Sequence, residues 1–133
     1  MNGRHKEMVA ALKREVLPLL REQGFKGTFP HFRRHTGNAI DLITFQFDKW
    51  GGGFVIEIAR SPPDGLVTPW GETIPPEKVK AWDVHPTGRK RIKATADQGV
   101  DGWFRFDVNP IDQVAALVVK TLGADQVWND LGR

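Results

Sequence analysis

Residues 29–60, FPHFRRHTGNAIDLITFQFDKWGGGFVIEIAR, decide the fold. Gly37-Asn38 sits between two stretches of strand-forming residues, a recognised hairpin signal. Lys49-Trp50-Gly51-Gly52 makes a second loop between strands 39–48 and 53–60, and a first strand covers 28–35. With Gly37-Asn38 at the turn, His31 faces Thr44, Phe32 faces Ile43 and Arg34 faces Asp41. A four-residue second loop then sets Phe47 against Phe54, Phe45 against Ile56, Ile43 against Ile58 and Asp41 against Arg60. A slip of one residue would set Phe45 against Glu57, so side-chain alternation selects the first pairing.

This register separates two faces. One carries Phe32, Ile43, Phe45, Phe47, Phe54, Ile56 and Ile58 and needs covering. At its end Asp41 lies between Arg34 and Arg60. That row reads either as an anion-facing arginine pair or as a cross-strand ion network closing the core, worth about 0.2–1 kcal/mol per pair. The other face carries His31, Arg33, His35, Ile40, Leu42, Thr44, Gln46, Val55, Glu57 and Ala59, joined by Trp103 and Arg105. It is too polar for a second core and too apolar for plain surface. Its Ile40, Leu42, Val55 and Trp103 form an apolar patch that is either a binding site or the seat of a folded-back loop.

Outward from the hairpins, residues 4–23 place Met8, Leu12, Val16, Leu19 and Leu20 at helical spacing, and Gly24 stops the helix. Pro18 removes one backbone bond and predicts a kink. Residues 61–88 hold six of the nine prolines and little periodicity, and read as a long loop or insertion. A fourth strand fits 102–108. Asn109 as N-cap, Pro110 at N1 and Asp112 in the first turn open a closing helix. Its stripe is Ile111, Val114, Leu117, Val118 and Leu122. Gly123 ends it, and a short turn with Trp128 follows. The expectation is a single α+β domain over residues 1–133. It has two layers: a four-stranded antiparallel sheet with both helices on one face, in the order α-β-β-β-loop-β-α.

The chain has no cysteine, which excludes disulfides, thiolate metal sites and a cysteine nucleophile. No apolar run approaches the ~18 residues of a membrane span. The first residues lack the apolar core of a secretory signal, so a cytoplasmic protein is expected. Charge is uneven, with 16 Lys/Arg against 10 Asp/Glu in residues 1–93 and 3 against 6 beyond. A basic body suits an acidic protein or a nucleic acid.

Candidate chemistry is sparse. His31 and His35 are four apart, but on a strand that spans about 13 Å, too far to share one ion. Asp83-x-His85 alone is a weak metal signal. Gly51-Gly52-Gly53 leads into a strand and not a helix, which argues a hairpin loop against a phosphate cradle. The row His31–Thr44–Glu57 could serve acid–base work, with Arg105 beside it, or could be a polar surface row. Arg89-Lys90-Arg91-Ile92-Lys93, preceded by Lys78, Lys80 and Trp82, could grip a phosphate backbone and stack bases. Such a run is more often a solvated strand edge, which also discourages edge pairing.

LPLLREQGFKGTFPHFRR, then IDLITFQFDKWGGGFVIEIA, then Arg89-x-Arg91-Ile92 and Asp101-x-Trp103-Phe104 before a last helix together resemble the bacterial family called domain of unknown function 4304, over roughly residues 8–128. The resemblance implies a small α+β fold and no established activity. No catalytic residue, cofactor or metal is expected. The expected function is a non-enzymatic protein-binding module, acting as an inhibitor or immunity-type factor. Its surface would be His31, Arg33, Gln46, Glu57, Trp70, Trp82, Arg89, Arg91, Trp103 and Arg105. The alternatives are a nucleic-acid binder using residues 89–93, and a small-ligand binder or hydrolase using His31, Glu57 and Arg105. No membrane partner is expected.

Overall fold

The computed structural model describes residues 3–49, 51–94, 102–124, 126–129 and 131. Helix α1 (Gly3–Glu15) and helix α2 (Leu17–Glu22) meet at Val16. The sequence predicts one kinked helix; the structure has two. Pro18 lies in the first turn of α2, where its missing N–H costs no helical bond. The bonds from Val16 N to Leu12 O (2.8 Å) and from Leu20 N to Val16 O (3.0 Å) carry the chain across the break. Met8, Ala11, Leu12, Val16 and Leu20 are all fully buried. Gly24 ends α2 at φ +94°, as expected.

The expected strand 28–35 is instead a tight hairpin of β1 (Lys26–Thr28) and β2 (His31–His35), turned at a cis Phe29–Pro30 bond. Pro30 has no N–H to offer a ladder, so the strand cannot run through it. Gly27 is required here. Its φ is +120°, and a Cβ would lie 2.5 Å from the His31 carbonyl.

Strands β3 (Ile40–Phe47) and β4 (Gly53–Ser61) pair with β2 and with each other in the register read from alternation. His31 faces Thr44, Arg34 faces Asp41, Phe45 faces Ile56 and Phe47 faces Phe54. Residues 62–88 are ordered into a small hairpin, β5 (Leu66–Val67) with β6 (Thr73–Ile74), and two single turns at Ala81–Asp83 and Pro86–Gly88.

The sheet has six strands, not four. It runs β1-β2-β3-β4 and then β7 (Arg89–Ile92), while β8 (Phe104–Arg105) pairs beside β7 on the same edge of β4. β7 escapes the strand pattern because an edge strand of Arg-Lys-Arg-Ile has only one apolar residue to bury, Ile92. β8 is shorter than 102–108 because Phe106 N and Asp107 N both turn onto the Gly52 carbonyl, at 2.9 and 3.2 Å.

Helix α3 (Ile111–Leu122) starts one residue late, with Pro110 at the cap position. Asn109, expected as the cap, donates its Nδ2 proton to Arg105 O at 2.9 Å instead. Helix α4 (Gln126–Asn129) is the expected turn with Trp128. No helix among the described residues is long and apolar enough to cross a membrane.

The helices cover Phe32, Ile43, Phe45, Phe54, Ile56 and Ile58, with Phe47 half-buried at the margin. A second apolar cluster lies on the opposite face, where Val79, Ala81 and Val84 cover Ile40, Leu42 and Ala59. The 62–88 segment is therefore a third layer. Of the two readings of the apolar patch, the folded-back loop holds for Ile40, Leu42 and Ala59.

The Asp41 row closes the core. Asp41 is 2 % exposed and takes Arg34 Nη2 at 2.6 Å and Nε at 3.0 Å on one oxygen, and Arg60 Nε at 2.9 Å on the other. Arg60 also donates to Leu131 O at 2.8 Å, which ties the C-terminal turn to the sheet. Both arginines are spent on structure.

Candidate functional site

Most of the residues expected to bind lie on the face away from the helices, and the structure gathers them into two groups, with Gln46 and Trp70 in neither. The first centres on β2. His31 is half-buried and shares a 2.9 Å hydrogen bond, through Nδ1, with the Thr44 hydroxyl directly across the ladder. Trp82 packs edge-on to its ring at 4.6 Å. Two residues along the same face, Arg33 donates from Nη2 to Val79 O at 2.9 Å. That bond ties the covering segment to the sheet, and it places Lys78 and Lys80 beside Arg33. Asp83 fixes the next turn by accepting from the Lys80 backbone N–H at 2.9 Å.

Between the Phe29–Pro30 turn and this segment lies a cleft of about 480 Å³, lined among others by His31, Arg33, Glu77, Lys78 and Lys80. Burial pushes the His31 pKa below its ordinary value, and the charges of Lys80 and Arg33 push it further; Asp83 opposes them. The imidazole thus registers a positive field. Trp82, 45 % exposed, lies beside the cleft with Lys80 Nζ 5.9 Å from its ring centre.

The second group runs along the β4 edge. Glu57 is 5 % exposed and holds Arg91 Nε on one oxygen at 2.9 Å and Arg89 Nε on the other at 3.5 Å. Arg89 also donates to Trp82 O at 2.9 Å. The guanidiniums of Arg91 and Arg105 lie 5.9 and 5.8 Å from the Trp103 ring, and Arg105 reaches Asp48 at 3.6 Å. This is a continuous structural ladder of charge and ring.

His31 and Glu57 do share a face, but Thr44 stands between them in the register. Two strand spacings separate them, about 10 Å. Each Glu57 oxygen already has a guanidinium, so the row is no acid–base pair. Gln46 lies on β3 opposite Val55, away from the cleft lining. Trp70, 76 % exposed, sits at the tip of the β5–β6 hairpin, and among the described residues nothing links it to either group.

His85 caps its own turn, accepting from Thr87 N at 3.2 Å. Among the described residues no group of three His, Asp or Glu side chains could hold a metal ion. The glycines at 51–53 form the hairpin loop between β3 and β4, closed by Asp48 N to Gly53 O at 3.0 Å.

Lys78 and Lys80 are the members of the site that the sequence grouping misses. It attaches them to the basic run at 89–93, whereas they face His31 and Arg33. Lys78 ends a turn closed by its N–H on Pro75 O at 2.9 Å, and nothing in the local sequence signals which way the two lysines face.

No curated protein and no solved structure matches the chain. The family described as "Domain of unknown function (DUF4304)" matches residues 16–128. That span takes in the sheet, the covering segment and the cleft, and the chain belongs to the DUF4304 family.

Proposed function

We propose that this chain is a non-enzymatic binding protein that docks an acidic partner protein at the rim of the cleft. The observation that carries the reading is the gathering of Arg33, Lys78 and Lys80 in one cleft, with the half-exposed Trp82 beside it against His31 and near Lys80. Aromatic and arginine side chains are the usual anchors of protein interfaces, and a field of one sign steers the encounter. The rival chemistries have less to work with. Glu57 is occupied on both oxygens, which leaves it poorly placed to serve His31 in hydrolysis. Arg89 and Arg91 of the basic run are committed to Glu57, so fewer cations there are available to phosphates.

Affinity capture from native lysate, with and without nuclease, tests the reading when paired with a Lys78→Glu/Lys80→Glu bait. The expected result is one stoichiometric protein that survives nuclease and is lost with the charge-reversed bait. Loss of all retained species on nuclease treatment would replace the reading with nucleic-acid binding. Retention by both baits would move the docking surface elsewhere.

A further inference from the structure

We infer that the cleft between the Phe29–Pro30 turn and residues 77–80 is an oxyanion site, built to hold a carboxylate or phosphate-ester group. The inference rests on the binding reading above and names the chemical group through which a partner would anchor.

Three cations, Arg33, Lys78 and Lys80, line this cleft against one carboxylate, Glu77. Among the described residues, none of the three has a carboxylate within ion-pair distance. The other arginines of the sheet behave differently. Arg34 and Arg60 close on Asp41, Arg89 and Arg91 on Glu57, and Arg105 on Asp48. The fold thus neutralises its sheet-borne arginines wherever they serve the structure and leaves this cleft positive.

The donors are also held in place. Arg33 is fixed by its bond to Val79 O, which immobilises a planar fork suited to a two-oxygen acceptor. Its Nε is buried and has no hydrogen-bond partner. That donor is shut off from solvent, so the terminal guanidinium nitrogens are the ones an oxyanion in the cleft would meet. Lys78 and Lys80 alternate along a segment anchored by the fully buried Val79 and Ala81. Their ammonium groups therefore work from a fixed backbone.

His31 makes the site self-reporting. Its ring stands at the cleft wall with Nδ1 engaged by Thr44. An anion bound beside it offsets the field of Lys80 and Arg33 and makes the imidazole easier to protonate. The charged groups facing His31 are Lys80, Arg33 and Asp83, with Lys78 and Glu77 lining the same cleft, and an added anion shifts their sum toward the protonated ring.

The test is titration with phenyl phosphate and, separately, benzoate, followed by calorimetry and by the NMR titration of the His31 ring. Phenyl sulfate serves as a probe whose own charge is constant across the pH range. Saturable binding of either phenyl phosphate or benzoate is expected, with the stronger of the two identifying a phosphate ester or a carboxylate as the natural group. The Lys78→Gln/Lys80→Gln variant should weaken it at least about tenfold, while Arg14→Gln, on the far side of the molecule, should leave it unchanged. Phenyl sulfate should raise the His31 pKa. No binding at millimolar concentration, an unmoved His31 titration, or equal affinity in the Lys78→Gln/Lys80→Gln variant would overturn the inference. A protein partner retained by the wild-type bait while these anions fail to bind would sink the oxyanion site and leave the docking reading standing. Anion binding with no retained partner would do the reverse.

Discussion

The Asp41 row and the 77–80 cleft both bring several cations together, yet they have opposite electrostatic characters. Around Asp41 two guanidiniums enclose a carboxylate that is 2 % exposed, and the remaining donors go to backbone carbonyls of Gln23 and Leu131. In the cleft three cations, Arg33 on β2 and Lys78 and Lys80 on the covering segment, meet a single carboxylate, and burial disfavours the charged form of the one imidazole among them. The difference teaches how to separate structural charge from functional charge in a chain of this composition. A cation that the register places opposite a carboxylate is consumed in closing the fold. A cation on a covering segment, with no carboxylate opposite, is left for something outside the molecule.

Four measurements sharpen or break that contrast. The largest effect is expected at Asp41→Asn. It leaves Arg34 and Arg60 facing each other without their counter-charge and should cost about 3 kcal/mol in urea unfolding, the low end for a broken buried pair because both arginines keep some solvent contact. An unchanged midpoint would make the row dispensable. Next, Val79→Ala should cost about 2 kcal/mol, from lost burial and a cavity over Ile40, Leu42 and Ala59. It should also loosen the cleft, which faster amide exchange at Lys78–Lys80 would reveal. Glu57→Gln should cost about 1 kcal/mol, less than Asp41→Asn because Arg91 can turn to water. Lys78→Gln/Lys80→Gln should shift stability by no more than about 0.5 kcal/mol. A large loss there would make these lysines structural and erase the contrast.

The pH response follows from His31. Its folded-state pKa lies below the ordinary value of 6.5, so the unfolded chain takes up the proton first as pH falls. The stability that the neutral ring provides is complete above about pH 6.5 and is lost as pH drops through the lowered folded value. His31→Gln should flatten that part of the stability–pH curve, and an unchanged slope would place the acid sensitivity elsewhere.

The central three strands were legible because alternation fixes them: Phe45 against Ile56 is tolerable and Phe45 against Glu57 is not. The Gly37-Asn38 turn and the Gly24 stop needed only local backbone chemistry. What escaped was tertiary or edge-borne. The β1–β2 hairpin hides in what reads as one strand because Pro30 both interrupts the ladder and turns the chain. β7 was read as a solvated strand edge from its charge but left out of the strand count, because an edge strand needs no apolar alternation. The site was only half legible. His31 and Arg33 were named from the sheet face and Trp82 with the basic run, but their meeting with Lys78 and Lys80 depends on where a proline-rich segment lands. Val79, Ala81 and Val84 decide that by burying against Ile40, Leu42 and Ala59, and three apolar residues without a period carry no such message in the sequence.

The β5–β6 hairpin has a practical consequence. Leu66 and Ile74 hold its base against the second apolar cluster, and the tip closes on itself, with Thr68 N reaching Glu72 O at 2.8 Å and Glu72 N reaching Thr68 Oγ1 at 3.0 Å. The exposed tip at Trp70–Gly71 is therefore a natural splice point. Each doubling of a flexible loop costs only about 0.6 kcal/mol, so a peptide tag or a fluorescent reporter inserted there would ride on the outside of the fold, and no residue lining the cleft belongs to this hairpin.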